Sequence, residues 1–434
     1  MKCLIPVTIC LGALLVVMGS PCFSDDWPQW RGPNRDGVWR ETGIVETFDA
    51  PQIKLKWKTP IASGYSGPTV AHGRVYVTDR KVDPKQIERV HCLDWQTGEI
   101  LWTHPYDCTY KGIGYEAGPR ASVLVDEGRA YSLGTAGHLF CFDAATGDVL
   151  WNHDLYRTYH IRMPNWGVAA SPLVEGDLLI VHFGGDHGAC VAAFNKKNGK
   201  EVWKALPDDA SYSAPIVVDH AGERVLVVWT GNRIVGMSPH SGKVAWEIPS
   251  PWEKWPIAIA TPVQADDLLF FSETHRGSIL LQMRRDRVAV DKRWHRRSQE
   301  VGKDQALHCL ISTPMIQGQH IYAADNRGVL RCLDVKTGEV RWQDRTAVPE
   351  NSFATIHLVK NGNRVWMFNE RGELIISRLT PERFIEISRA KLLAPTTDQL
   401  RRRDGVTWSH PAFAYRHVFA RNDKEIVCAD LSAK

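Results

Sequence analysis

The side chains with the most capacity for chemistry stand just ahead of strand-opening segments. Tyr65, Tyr115, Trp166, Tyr212, Trp255, His308, Phe353 and Trp408 each come shortly before a short apolar run, with Arg120, Arg162 and His410 close by in sequence. Aromatic rings supply rigid contact area at small entropic cost, and a guanidinium among them anchors a peptide or an acidic group. This is recognition chemistry. No Ser-His-Asp or Cys-His pairing for nucleophilic catalysis is legible.

Other motifs carry less. Gly112-Ile113-Gly114-Tyr115-Glu116-Ala117 superficially matches a dinucleotide-binding turn but lacks the strand before it and the helix after it, so it reads as a loop. His182, Asp186 and His187 suggest a metal, yet Asp186-His187 falls where a hairpin tip is expected and reads as a solvated turn. The basic run from Arg284 to Arg297 reads as a charged sheet edge that resists strand pairing. Arg401 to Arg403 lie in an insertion, Arg389 to Val406, that reads as a solvated helix or loop.

The elements that must position these residues are repeats. Cys92 to Trp102 (CLDWQTGEILW) is echoed by CFDAATGDVLW, AFNKKNGKEVW, GMSPHSGKVAW and CLDVKTGEVRW, ending at Trp151, Trp203, Trp246 and Trp342. Each echo is a hairpin whose Gly supplies a positive φ. From Trp57 through Trp102, Trp151, Trp203, Trp246 and Trp294 to Trp342 the spacing is 43 to 52 residues. Several short strands per such period imply a β-propeller. The indoles are read as structural, each stacking between its own sheet and the next. Units five and seven lack the Thr-Gly turn, although Trp294 survives.

Strand-opening segments near Pro68, Pro119, Pro172, Pro215, Pro262, Pro314, Ile356 and Pro411 give eight units of four strands. The eighth lacks an outer strand, whereas IKLKWK (Ile53 to Lys58) is an outer strand without a unit. The N-terminal strand is therefore expected to close the ring. The chain divides into a leader (1–24), a coil wrapped on the outside (25–52) and an eight-bladed, all-β propeller (53–434). With the innermost strand first, the aromatic residues gather at one mouth of the central channel.

Composition narrows the setting. A net charge of +4 over 434 residues argues against a dedicated polyanion binder, including one for nucleic acid. Met1 to Ser24 reads as a secretory signal cleaved after Ser24, and no later segment is apolar enough to span a membrane. Cys92, Cys141, Cys332 and Cys428 share one repeat position and read as small packing residues. Cys108, Cys190 and Cys309 stay open as disulfide candidates.

The Ala/Cys-x-Asp-x-x-Thr-Gly-x-x-x-Trp unit resembles the tryptophan-docking repeat of pyrroloquinoline quinone (PQQ) enzymes. It also resembles PQQ-like β-propeller proteins, which include the propeller subunit of the outer-membrane protein assembly machinery. Asp26-Trp27-Pro28-Gln29-Trp30-Arg31-Gly32-Pro33 is similar to the opening of secreted PQQ-like repeat proteins. The enzyme branch implies a vicinal disulfide against the quinone, calcium held by Glu and Asn, and a catalytic Asp. No adjacent cysteines and no Cys-x-x-Cys-His haem site occur here, and Glu116, Asn165 and Asp304 sit in no matching motif. The reading is thus an exported, monomeric, non-enzymatic module with no cofactor, binding a protein, peptide or glycan of the cell envelope. A quinoprotein dehydrogenase using PQQ and calcium is the alternative.

Overall fold

A computed structural model describes residues 25–252, 255–298, 306–401 and 403–433. The proposed leader, Asp304 and Arg402 lie outside the described residues. Among those described, thirty-two strands form eight four-stranded antiparallel sheets, with one short helix, Leu155–Tyr159. The first blade runs Thr69–Ala71, Arg74–Lys81, Ile87–Asp94 and Ile100–Asp107, from the axis outward. Six more blades repeat that order. The eighth is completed by Leu55–Pro60 pairing with Glu425–Asp430, with Trp57 opposite Cys428. The N-terminal strand thus closes the ring, and no broken edge is left between the first and last blades.

The motif explains its own residue choices. Its small residue lies directly across the ladder from the indole: Cys92 faces Trp102, Cys141 faces Trp151, Ala193 faces Trp203 and Gly236 faces Trp246. A Cβ on Gly236 would lie 2.0 Å from the Trp246 ring. The indole then reaches the turn of the following blade. Trp57 Nε1 donates to Trp95 O at 2.8 Å and Trp203 Nε1 to Pro239 O at 2.9 Å. Gly98 (φ 73°) and Gly242 (φ 68°) lie beneath these two rings, where a Cβ would approach within 2.5 and 2.7 Å. Trp246 faces the fifth blade, whose turn lacks the motif, and its Nε1 is left without a partner. The motif Asp closes the turn, Asp94 Oδ1 accepting from Gln96 N and Thr97 N at 2.8 Å each.

All seven cysteines of the described chain are free and buried. That answers the open question on Cys108, Cys190 and Cys309: desolvation raises the thiol pKa of each.

Two segments depart from expectation. The coil at 25–52 does not simply wrap the outside. Trp27 exchanges backbone hydrogen bonds with Val70 on the first inner strand, and Pro28 O accepts from Val125 N on the second. Arg35 donates to Pro172 O at 2.8 Å, and Trp30 Nε1 to Thr261 Oγ1 at 2.8 Å. These contacts reach blades spread around the axis, so the segment plugs the channel at the end remote from the mouth. Trp39 fills the seam between blades seven and eight, 5.4 Å from Trp366 and 4.8 Å from Phe413. The expectation missed this because burial of indoles was legible but their destination was not.

The insertion before the eighth blade is likewise no solvated loop. Its first residues, Arg389 to Lys391, belong to the strand Phe384–Lys391. The remainder folds over the mouth, with Gln399 and Val406 fully buried. Gln399 Nε2 donates to Gly64 O at 2.8 Å, and Gln399 Oε1 accepts from Trp408 N at 2.6 Å. Asp423 Oδ2 accepts from Thr396 Oγ1, Asp398 N and Gln399 N, which holds the insertion down.

Candidate functional site

The residues that face the axis stand at near-constant offsets ahead of the inner strands. One layer lies four residues ahead of the strand in seven blades and three ahead in the seventh: Tyr65, Arg120, Ala169, Tyr212, Ile259, Ile311, Phe353 and Trp408. A deeper layer two residues ahead of the strand includes Ser171, Ala214, Thr261 and His410. Together with Trp30, His357, Tyr115 and Trp166 these residues enclose a cavity of about 190 Å³. Its floor is the N-terminal plug, Trp30 meeting His410 edge-on at 4.4 Å. Rings run across the mouth from Tyr65 to Trp408 (6.4 Å), Tyr115 (5.9 Å), Trp166 (6.2 Å) and Tyr212 (5.1 Å).

Eight of the eleven side chains expected at the mouth therefore meet there, and three do not. Trp255 is half exposed at 51% and stands outside the cavity, where Ile257 and Ile259 form the wall instead. His308 is buried between blades, bonded to Ser298 Oγ at 2.6 Å and Thr274 O at 2.9 Å, while Leu310 and Ile311 face the axis. Arg162 is drawn aside into ion pairs with Asp209 at 2.8 Å and Asp186 at 3.1 Å. A constant offset from the inner strand would have found Ala169, Ile259 and Ile311, but it would not have separated Trp166 from His308, both seven residues ahead of their strands. Expectation followed aromatic type instead and passed over Ala169, Ile259 and Ile311.

The electrostatics are one-sided. Arg120 lies 5.0 Å from the Tyr65 ring and donates to Gly114 O at 2.8 Å, but no ion pair to a described carboxylate neutralises it. Arg35 lies buried and Arg31 half-buried behind the floor, and desolvation lowers their pKa values to about 9 and 10, which leaves both charged at neutral pH. Beside them burial lowers His357 to about 4 and His410 to about 3, so both imidazoles are neutral. The cavity lining contains no Asp or Glu. Arg120 and the two arginines beneath the floor thus favour an acidic group.

Sequence reasoning missed one pair with catalytic appearance: Ser122 Oγ lies 2.7 Å from His410 Nε2. Ser122 is 1% exposed and does not line the cavity, and His410 Nδ1 meets only Pro411 O at 3.3 Å. Without an acid to orient the imidazole or access for a substrate, this pair joins blades rather than attacking a bond. His182 is buried within the strand Leu178–Gly185, Asp186 pairs with Arg162, and His187 is exposed, so the three do not converge.

A calcium-bound quinone requires clustered oxygen donors. The cavity lining offers no carboxylate or carboxamide, and the described residues contain no group of three His, Cys, Asp or Glu able to hold a metal. Glu116 and Asn165 are exposed on loops outside the lining. The residues present do not fit that group.

A family described as "Outer membrane protein assembly factor BamB" matches the chain over residues 39–104, 88–344 and 259–399. Curated proteins yield no match. Among solved structures, BamB from Moraxella catarrhalis superposes with a TM-score of 0.60 at 14% identity, over 87% of this chain and 99% of that one. A europium-containing methanol dehydrogenase gives 0.66 at 13%, over 91% and 89%. The quinohemoprotein alcohol dehydrogenase from Comamonas testosteroni gives 0.66 at 13%, over 94% and 81%. At such identities the likeness concerns the fold, which both scaffold and enzyme share.

Proposed function

Because the chain belongs to this BamB-type family of PQQ-like propellers, we propose that it is a monomeric, exported binding module that recognises a protein or peptide of the cell envelope at the channel mouth. The observation that carries the reading is the cavity itself: apolar walls, one unneutralised guanidinium and no acidic side chain. About 190 Å³ lies below the ~300 Å³ usual for small-molecule sites but suits one inserted apolar side chain. An acidic neighbour on the partner would meet Arg120. No helix among the described residues is long and apolar enough to cross a membrane.

Ala169→Trp fills the cavity from its wall and provides the test. Capture of a partner from the envelope fraction is expected with the wild type and lost in this variant, with the melting temperature unchanged. Equal capture by both would overturn the reading. So would uptake of PQQ with calcium, seen as quinone absorbance together with a raised melting temperature.

A further inference from the structure

The small overall charge conceals one strongly charged surface. Residues 284–297, the last hairpin and outer strand of the fifth blade, carry seven Arg or Lys against Asp286 and Asp291, a net of +5, whereas the whole chain is +4. Asp267 pairs with Arg285 at 3.0 Å, Glu339 with Arg296 at 3.3 Å and Asp291 with Arg284 at 2.7 Å. Arg287 and Lys292 are exposed and form no ion pair with a described residue.

Protection of a sheet edge does not account for this concentration. Two other outer strands do without it. Ile100–Asp107 and Val149–Asp154 expose Ile100, Leu101, Val149 and Leu150 and would need protection more. The strand Val290–Arg296 pairs on one side with Gly277–Met283, and among the described residues nothing pairs with its other side. Its outer N–H and C=O groups run for about 23 Å at ~3.3 Å per residue beside the row of cations.

We propose that this edge receives an acidic, extended segment of a partner polypeptide as a fifth strand of the blade. Main-chain hydrogen bonds supply the register, and carboxylates beside Lys292 and Arg293 supply the selection. The site is separate from the channel mouth, and either can fail without the other.

The test is fluorescence anisotropy with the chain lacking its leader and a capped, labelled peptide of Glu-Glu-Val repeats, which sets Glu on both faces of an extended strand. Binding is expected that weakens as salt rises. Lys292→Glu/Arg293→Glu should weaken it about ten-fold, through lost and reversed cross-strand pairs. A peptide of the same charge with Pro in the middle should not bind, because it cannot complete the ladder. Circular dichroism and melting report whether the double variant is folded, and the exposed Arg287→Glu offers a milder second variant. Equal binding of the Pro peptide, or binding indifferent to all of these substitutions, would overturn the proposal. Binding to phosphatidylglycerol vesicles in place of the peptide would also overturn it, assigning the edge to a lipid surface.

Discussion

The ring and the axis of this propeller are built on opposite principles. Around the ring one contact recurs: an indole from one blade settles on the turn of the next and donates to a carbonyl there, as Trp57, Trp151, Trp203 and Trp294 all do. Along the axis no two contacts are alike. Tyr65, Arg120, Ala169 and Ile259 occupy equivalent positions yet differ in chemistry, and the floor and cover come from segments hundreds of residues apart, Trp30 and Gln399. Repetition serves closure. Variation serves recognition.

The comparison is broken most directly at the ring. Trp203→Ala should cost about 3–5 kcal/mol, the usual loss for a large buried aromatic, and lower the melting temperature of the whole chain. Trp39→Ala should cost about as much, because Trp39 does at the seam of blades seven and eight what the motif indoles do elsewhere. Thermal unfolding unchanged in either variant would show that these contacts do not hold the ring. Combining Trp203→Ala with Gly242→Ala sharpens the point: removing the ring relieves the clash at Gly242, so the two losses should fall short of additive.

Acid should separate the regions next. His357 and His410 on the axis have pKa values lowered by burial to about 4 and 3, and His182 within the third blade to about 4. A histidine lowered on folding contributes stability that is complete above its unfolded value near 6.5 and is lost as pH falls toward the folded value. Each imidazole should therefore remove about 3 kcal/mol by pH 4. Melting followed from pH 8 to 4 should fall less steeply in His357→Gln than in the wild type. Parallel profiles would show that this imidazole is not kept neutral.

Smaller effects fall on the cover. Gln399→Ala removes the bonds to Gly64 O and Trp408 N and should cost about 1–3 kcal/mol. The loss should show as faster hydrogen exchange around 396–408, with blade amides still protected. Exchange rising uniformly would mean that the cover and ring unfold together. Arg162→Ala, which removes half-exposed ion pairs away from the cavity, should change stability by less than about 1 kcal/mol. It should also leave partner capture intact, unlike Ala169→Trp.

The blade number, the four-strand order, the closing role of Leu55–Pro60 and the docking of the indoles were legible from residue order, because each rests on short-range periodicity repeated many times. Gly236 and Cys92 could be read as small for the same reason: a position that recurs reveals its constraint. The site was legible only in part. Tyr65, Tyr212 and Trp408 advertised themselves by type, but Ile259 and Ile311 are ordinary apolar residues until the inner strands fix which way they point. His308 and Trp255 had the right type, but His308 is held aside by Ser298 and Thr274 and Trp255 is half exposed outside the cavity.

What residue order determined alone was therefore local and periodic: hairpins, their turns and the ring they must form. Tertiary structure decided what lies at the centre. Trp30 as a floor, Gln399 as a latch and the unneutralised Arg120 between them depend on which distant segments fill the channel once the blades close. That choice is made by packing and electrostatics among residues with no fixed separation along the chain, so no period records it.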